Sequence, residues 1–300
     1  LLESFGNATT ALNHISSRFG KLITLQYERA ASAEGAAAAH IVGARISSYL
    51  LETVRVVHHA EGEAAFHIFY QLLAGVDQSE AQRLRLRTPH VAAGEPEAVA
   101  EHHSYLMSST SGGSNVTPAT PSWGSGGGHT AYHTAAAWCK TMAAADAIGI
   151  CEMDRKQVRE VLAAILHLGD LRFVESDGLA RFSTSCEAAA VAAADCLGVP
   201  LSQLQTALCT RSLAVHGQVL DCGRSGVQAR ASCDALAKRL YSMLFTWLVR
   251  KIDVRIEGDV TSHGVPNADA SIVMLDLFGF ECLATNSFEQ LCINYANEAL

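Results

Sequence analysis

Two short segments near opposite ends of this 300-residue chain carry residue types suited to phosphate and metal chemistry. In the first, the apolar run Ser271-Ile-Val-Met-Leu275 leads into Asp276-Leu-Phe-Gly279-Phe-Glu281. A short β-branched and aliphatic run fits a buried strand better than a helix. In an open α/β sheet, ligands bind beyond the carboxyl ends of the strands, where Asp276 stands. A lone strand-terminal carboxylate suits Mg2+, a hard cation that takes oxygen ligands and keeps several waters. Gly279 lets the backbone approach an anion and aim its N–H at a phosphate oxygen. The second segment is Asn13-His-Ile-Ser16-Ser17-Arg18-Phe-Gly20-Lys21. It offers two hydroxyls, a glycine for a turn, and a planar, always charged guanidinium that pairs bidentately with carboxylate or phosphate. Taken singly, the Asp276 segment reads better as an ordinary strand end and turn, and the Arg18 segment reads as well as a Ser-rich surface turn, because motifs this short recur by chance.

The elements that would hold these groups follow from hydrophobic periodicity. Residues 22–28 and 40–47 read as strands, joined by an Ala/Ser/Glu-rich connection. Phe66, Phe69, Tyr70 and Leu73 share one face of a helix over 66–73, in which His67 is a structural residue. Further helices are expected over 156–168, stopped by Gly169, and over 187–197, ending at Gly198. Another is expected over 234–249, with Leu236, Leu240, Leu244, Trp247 and Leu248 on the core side. Arg211 to Gly223 reads as a hairpin with a Gly-centred turn. Residues 88–137, rich in Ser, Thr, Pro and Gly, read as a flexible insertion. Inside it, His129 and His133 lack the glutamate of a zincin helix and are not taken as a metal site.

Composition narrows the classes further. A hydrophobic fraction of 49% can bury a substantial core, and the formal charge of −8 argues against broad nucleic-acid affinity. Arg83, Arg85 and Arg87 read as a solvated face. The nine cysteines are an odd count without Cys-x-x-Cys spacing, which fits reduced cytosolic thiols. No apolar run is long enough to span a membrane.

Both chemical segments resemble one family. Asp276 to Glu281, followed by Asn286-Ser-Phe-Glu-Gln-Leu-Cys-Ile-Asn-Tyr-Ala-Asn-Glu298, resembles switch II and the start of the relay helix of a myosin motor. Phe5-Gly-Asn-Ala8 and Asn13 to Lys21 resemble its switch I, in the family's order. The resemblance implies an α/β, P-loop NTPase-like motor fragment, with a twisted central sheet and surrounding helices. It divides the chain into a switch I region (1–21), sheet strands and helices (22–87) and a divergent insertion (88–137). Helices of the upper 50-kDa subdomain with an actin-contacting loop (138–270) follow, and then switch II with the relay helix (271–300).

By motif position, the resemblance implies that Ser17 and Asp276 serve Mg2+ and that Asn13 borders the ATP phosphates. Ser16 would stand beside the γ-phosphate and the attacking water, and Gly279 would donate its N–H to that phosphate. Arg18 and Glu281 would form the salt bridge closing the pocket. Removing either partner of a desolvated pair costs about 3–5 kcal/mol, because a charge is stranded. The loop bearing Arg211, His216 and Gln218 would contact actin filaments. Light chains or calmodulin would bind a lever outside this chain, and the location would be the cytoplasmic actin cytoskeleton.

The chain departs from the family's pattern in two places. Ile15 replaces a polar residue of switch I and offers no side-chain hydrogen bond. Gln218 stands where many myosins carry an acidic or phosphorylatable residue. Both favour an alternative, a divergent myosin that tethers actin or cargo with little turnover. An unrelated cytosolic α/β enzyme is the third reading and needs both switch matches to be accidental. No Gly-x-x-x-x-Gly-Lys-Ser/Thr loop occurs. The chain is therefore expected to be an internal piece of a longer protein, inactive by itself.

Overall fold

A computed structural model describes residues 1–30, 38–86, 103–107, 130–176, 178–215, 218–257, 270–283 and 286–299. The chain begins with helix α1 (Leu2–Gly6) and strands β1 (Asn7–Ala8) and β2 (Ser16–Ser17). The two expected strands are then longer than their alternating cores, as β3 (Gly20–Ala30) and β4 (Ala38–Tyr49). They pair antiparallel, and their register shifts between Gln26 and Tyr27 in a local bulge.

Helix α2 (His67–Gly75) is buried on nearly every side, not on one face alone: His67, Ile68, Phe69, Tyr70, Gln71, Leu72 and Leu73 are all inaccessible. A helix buried all round belongs to the interior of a larger body. Helix α3 (Gln78–Arg83) is capped by the Asp77 carboxylate, which accepts from the Glu80 amide. Helices α4 (Ala135–Ala147) and α5 (Glu152–Gly169) come next. Glu152 and Asp154 occupy the first turn of α5, where carboxylates suit the helix dipole.

A hairpin of β5 (Phe173–Ser176) and β6 (Leu179–Phe182) leads to α6 (Glu187–Leu197), whose bounds match expectation. Gly198 closes α6 in the left-handed region at φ +67°, the conformation that glycine adopts most cheaply. Helix α7 (Leu201–Cys209) precedes the pair β7 (Thr210–Val215) and β8 (Gln218–Gly223).

Helix α8 (Gly226–Ile256) extends well past the expected 234–249. A capping box starts it, with Ser225 and Gln228 each binding the other's backbone N–H. Its core face is also rotated from the expectation. Ala229, Cys233, Ala237, Tyr241, Leu244 and Leu248 are buried, whereas Leu236, Leu240 and Trp247 are only partly covered. Small residues at 229, 233 and 237 allow a close approach that a search for large aliphatics overlooks.

Strand β9 (Ala270–Asp276) joins β3 antiparallel, giving the order β4-β3-β9, and α9 (Phe288–Ala299) follows. The expectation of a buried strand is not met. Ile272, Val273, Met274 and Leu275 are each about half exposed. Among the described strands β9 pairs with β3 alone.

Within 88–137, expected as one insertion, two pieces are packed. His103, Tyr105 and Leu106 are buried around a short 3-10 turn, Ser104–Leu106. Asp170 accepts from the Ser104 amide and faces His103 Nδ1, both at 2.8 Å. The Tyr105 hydroxyl donates to Asp234 at 2.6 Å. Gly169 is required beneath this turn, since a Cβ there would lie 2.7 Å from the Tyr105 ring. His133 also docks, with Nε2 3.0 Å from His67 Nδ1 and its ring stacked on Tyr70. His129 lies outside the described residues.

One continuous core links α2, α5, α6 and α8. The Tyr241 hydroxyl donates to the Phe5 carbonyl at 2.7 Å, fixing α1 and the segment after it to α8. The arginine face is neutralised: Arg83 pairs with Glu80 and Glu160, and Arg85 with Asp195. Arg87 lies outside the described residues. All nine cysteines are free, and no described helix is long and apolar enough to cross a membrane.

Candidate functional site

The loop before β3 is extended backbone fixed at both edges. Ser16 and Ser17 pair with Ala8 and Asn7. The Arg18 amide donates to the Gly6 carbonyl at 2.8 Å, and the Arg18 carbonyl accepts from Glu52 at 2.9 Å. Ile15 does not loosen this loop. Its amide donates to Asn13 Oδ1 at 2.9 Å, Thr10 and Asn13 bond each other, and the Thr9 hydroxyl holds the His14 carbonyl at 3.1 Å. Backbone donors and threonine hydroxyls thus supply what the Ile15 side chain lacks.

Opposite this loop stands the turn after β9. The close approach of the two is set at Gly20, where a Cβ would meet Leu277 at 2.5 Å. Between them lies a hollow of about 310 Å³, lined among others by Asn13, Ser16, Ser17, Asp276, Gly279 and Glu281. Six of the expected site residues therefore share one cavity. Arg18 lies behind it, with its side chain wholly inaccessible.

Arg18 bonds Glu281 through Nη1 and, at 3.3 Å, through Nη2. It also bonds Glu52, through Nε at 2.7 Å and Nη2 at 3.2 Å. Glu52 in turn takes Arg55 Nε at 2.6 Å, and Arg55 Nη2 reaches Glu63 at 2.9 Å. Burial opposes the charge on Arg18, but its hydrogen bonds to the carboxylates of Glu281 and Glu52 outweigh it and hold the guanidinium above its ordinary value. Burial likewise opposes charge on Glu281 and on Glu52. Arg18 overcomes it at Glu281, and Arg55 with Arg18 overcomes it at Glu52, so both carboxyls lie below their usual range.

Glu281 is also tied to α9. Gln290 Nε2 donates to its carboxylate at 3.1 Å, and the Asn294 amide group bonds both its N–H and its C=O at 2.7 Å. Motif reading missed Glu52, Arg55, Glu63, Thr10, Gln290 and Asn294. The signal for the first two is an opposite-charge pair at i,i+3 inside the apolar stretch from Tyr49 to Val57.

The remaining groups have distinct chemical states. Ser16 Oγ accepts from Arg18 Nη1 at 3.0 Å, which aims its own proton elsewhere. The Ser17 hydroxyl has no hydrogen bond among the described residues and borders the hollow. Asp276 pairs with Lys21 at 2.8 Å, its cross-strand neighbour. A free hydroxyl and one carboxylate are hard oxygen donors, few enough for a cation that retains water and takes phosphate oxygens, so this donor set fits Mg2+. A Cβ on Gly279 would meet nothing within 4 Å. The packing of this chain therefore does not demand glycine there.

The expected filament-contacting residues lie apart, on the β7–β8 hairpin. Arg211 is exposed at its base, and Ser212 donates to Asp221 across it at 2.6 Å. His216 lies outside the described residues, and Gln218 pairs through its backbone with Val215.

Comparison with known proteins identifies the family. A family profile described as myosin head (motor domain) matches residues 1–300. The chain is 35% identical over 300 residues to unconventional myosin IC of Drosophila melanogaster, covering all of this chain and 25% of that protein. It is 37% identical over 312 residues to myosin IE heavy chain of Dictyostelium discoideum, covering all of this chain and 27% of that protein. Against unconventional myosin-Ic of Rattus norvegicus it is 34% identical over 302 residues, with 26% of that protein covered. The chain thus spans about a quarter of the length of these relatives. It belongs to the myosin head (motor domain) family.

Proposed function

We propose that this chain forms the switch-bearing part of a P-loop NTPase-like motor that hydrolyses ATP and moves on actin filaments, within the upper 50-kDa subdomain. The observation that carries this reading is the contact of Arg18 with Glu281 behind a hollow lined by Asn13, Ser16, Ser17, Asp276 and Gly279. Phosphoryl transfer needs little covalent help from a protein, because positioning and electrostatics lower its barrier. Each residue here has such a task. Asn13 braces the loop, Ser16 borders the hollow with its proton free to donate, and Gly279 leaves room for an anion against its N–H. Ser17 and Asp276 would hold Mg2+, which when bound neutralises charge on the phosphate oxygens. The Arg18–Glu281 contact closes the floor and excludes water. The links from Glu281 to Gln290 and Asn294 carry that closure to α9. The β7–β8 hairpin, with Arg211 exposed at its base, is proposed as the filament contact, and light chains or calmodulin would bind a lever elsewhere. The cytoplasmic actin cytoskeleton is the matching location.

The tether reading rested on Ile15 and Gln218. The bonds from Asn13, Thr10 and Thr9 hold the loop without a side-chain bond at position 15, so active turnover is the better-supported reading. Phosphate release by the full-length protein tests it. Turnover stimulated by filaments is expected, and a rate equal to buffer with and without filaments selects the tether. Gly279→Ala is expected to preserve the melting temperature while lowering turnover at least tenfold, the cost of about one displaced charge-assisted hydrogen bond. Undiminished turnover removes Gly279 from the site.

A further inference from the structure

The five charges of the Arg18 cluster are not equivalent. Arg18, Arg55, Glu52 and Glu63 form a closed set of two guanidiniums and two carboxylates, joined by Arg18–Glu52, Glu52–Arg55 and Arg55–Glu63 contacts. Arg55 is further anchored to the Ala64 carbonyl at 3.1 Å. Glu281 is the fifth member; its side chain is 15% exposed, close to the 12% of Glu52, and what sets it apart is that its other partners carry no charge. Apart from Arg18, the hydrogen bonds to Glu281 come from the neutral amides of Gln290 and Asn294. If Glu281 withdraws, Arg18 keeps Glu52 on Nε and Nη2, and the buried remainder is electrically balanced.

We propose that Glu52 is a positioning residue: a standing counter-charge that makes the Arg18–Glu281 contact reversible. An isolated buried ion pair resists opening because one charge is left without compensation. Here that penalty is removed in advance, so the contact works as a latch and not as a permanent brace. The inference rests on the proposed role of this contact in closing the site. It assigns the ease of opening to a residue outside the two switch segments.

The prediction concerns sign. Glu52→Gln leaves Glu281 as the only carboxylate on Arg18, so opening now strands a cation and the closed form gains. Arg55→Gln leaves Glu52 and Glu63 in excess, which repels Glu281, so the closed form loses. The Glu281 amide proton, bonded to Asn294 Oδ1 when closed, reports opening through hydrogen exchange. Measured on the nucleotide-free full-length protein, exchange at Glu281 is expected to slow by about tenfold in Glu52→Gln and to quicken in Arg55→Gln. Glu281→Gln serves as the reference and is expected to quicken exchange. If Glu52 merely braces the fold, both Glu52→Gln and Arg55→Gln quicken exchange, and the proposal is overturned. If Glu281→Gln changes nothing, the latch reading beneath it fails instead. Should Glu52→Gln not fold, urea unfolding of Arg18→Met and Glu281→Gln decides: a clearly smaller loss for Glu281→Gln is expected because Arg18 keeps Glu52, and equal losses overturn the proposal.

Discussion

Arg18→Met and Glu281→Gln remove opposite ends of one contact, yet the structure makes their costs unequal. The usual expectation for a desolvated pair is symmetric, about 3–5 kcal/mol for either partner. Arg18 is wholly buried and binds two carboxylates. Its removal strands Glu281 and leaves Glu52 with Arg55 alone, so the full 3–5 kcal/mol is expected for Arg18→Met. Glu281 is partly exposed, and when its charge is removed Arg18 still holds Glu52. Its neutralisation therefore costs about 1 kcal/mol, the net value of one hydrogen-bonded contact. Urea unfolding of both variants and of the double variant measures this, with the double expected close to Arg18→Met. Equal costs for the two single variants, within about 0.5 kcal/mol, refute the argument that Glu52 shares Arg18. Charge reversal extends the test: Arg18→Glu is expected to abolish hydrolysis. Adding Glu281→Arg restores only part of it, because the new glutamate still faces Glu52.

Acid sensitivity should appear first through histidines. Burial lowers both His59 and His67 from 6.5 to about 4. The unfolded chain thus binds protons below pH 6.5 that the folded chain refuses. Stability is expected to fall as pH drops from 6.5 to 4, by about 1.4 kcal/mol per pH unit per histidine. Burial lowers His167 as well, so His67→Gln should remove only its own share of that slope, about 1.4 kcal/mol per pH unit, in calorimetric melts across the window, and an unchanged slope would exclude His67. Gly169→Ala drives a methyl into the Tyr105 ring and is expected to cost about 1–3 kcal/mol. Protease cleavage near residues 103–107 should accelerate with it, and an unaltered cleavage rate would show that Tyr105 is not seated there.

The motifs were legible because switch residues are read by local spacing. Asn13, Ser16, Ser17, Asp276 and Gly279 arrive at one hollow, which the resemblance implied and the residue types alone did not. What escaped was non-local. Nothing in the run from Tyr49 to Val57 announces that Glu52 and Arg55 will lie under Arg18, since that depends on the Glu52 amide bonding the Arg18 carbonyl. The Ser104–Leu106 turn is hidden by its neighbours, whose composition is that of a loop. Its docking depends on Asp170 and Asp234, far along the chain. The length of α8 escaped because charged residues at both ends mask the apolar period. Strand β9 misled in the other direction: its composition describes burial, but in this chain its faces are open.

That openness has a practical side. A strand carrying Ile272, Val273, Met274 and Leu275 half exposed is a template onto which another molecule's backbone can hydrogen-bond. Samples of this chain should therefore clump as concentration rises, through main-chain ladders more than through any specific recognition. A lysine placed at Val273 is the simplest guard for handling it in the test tube.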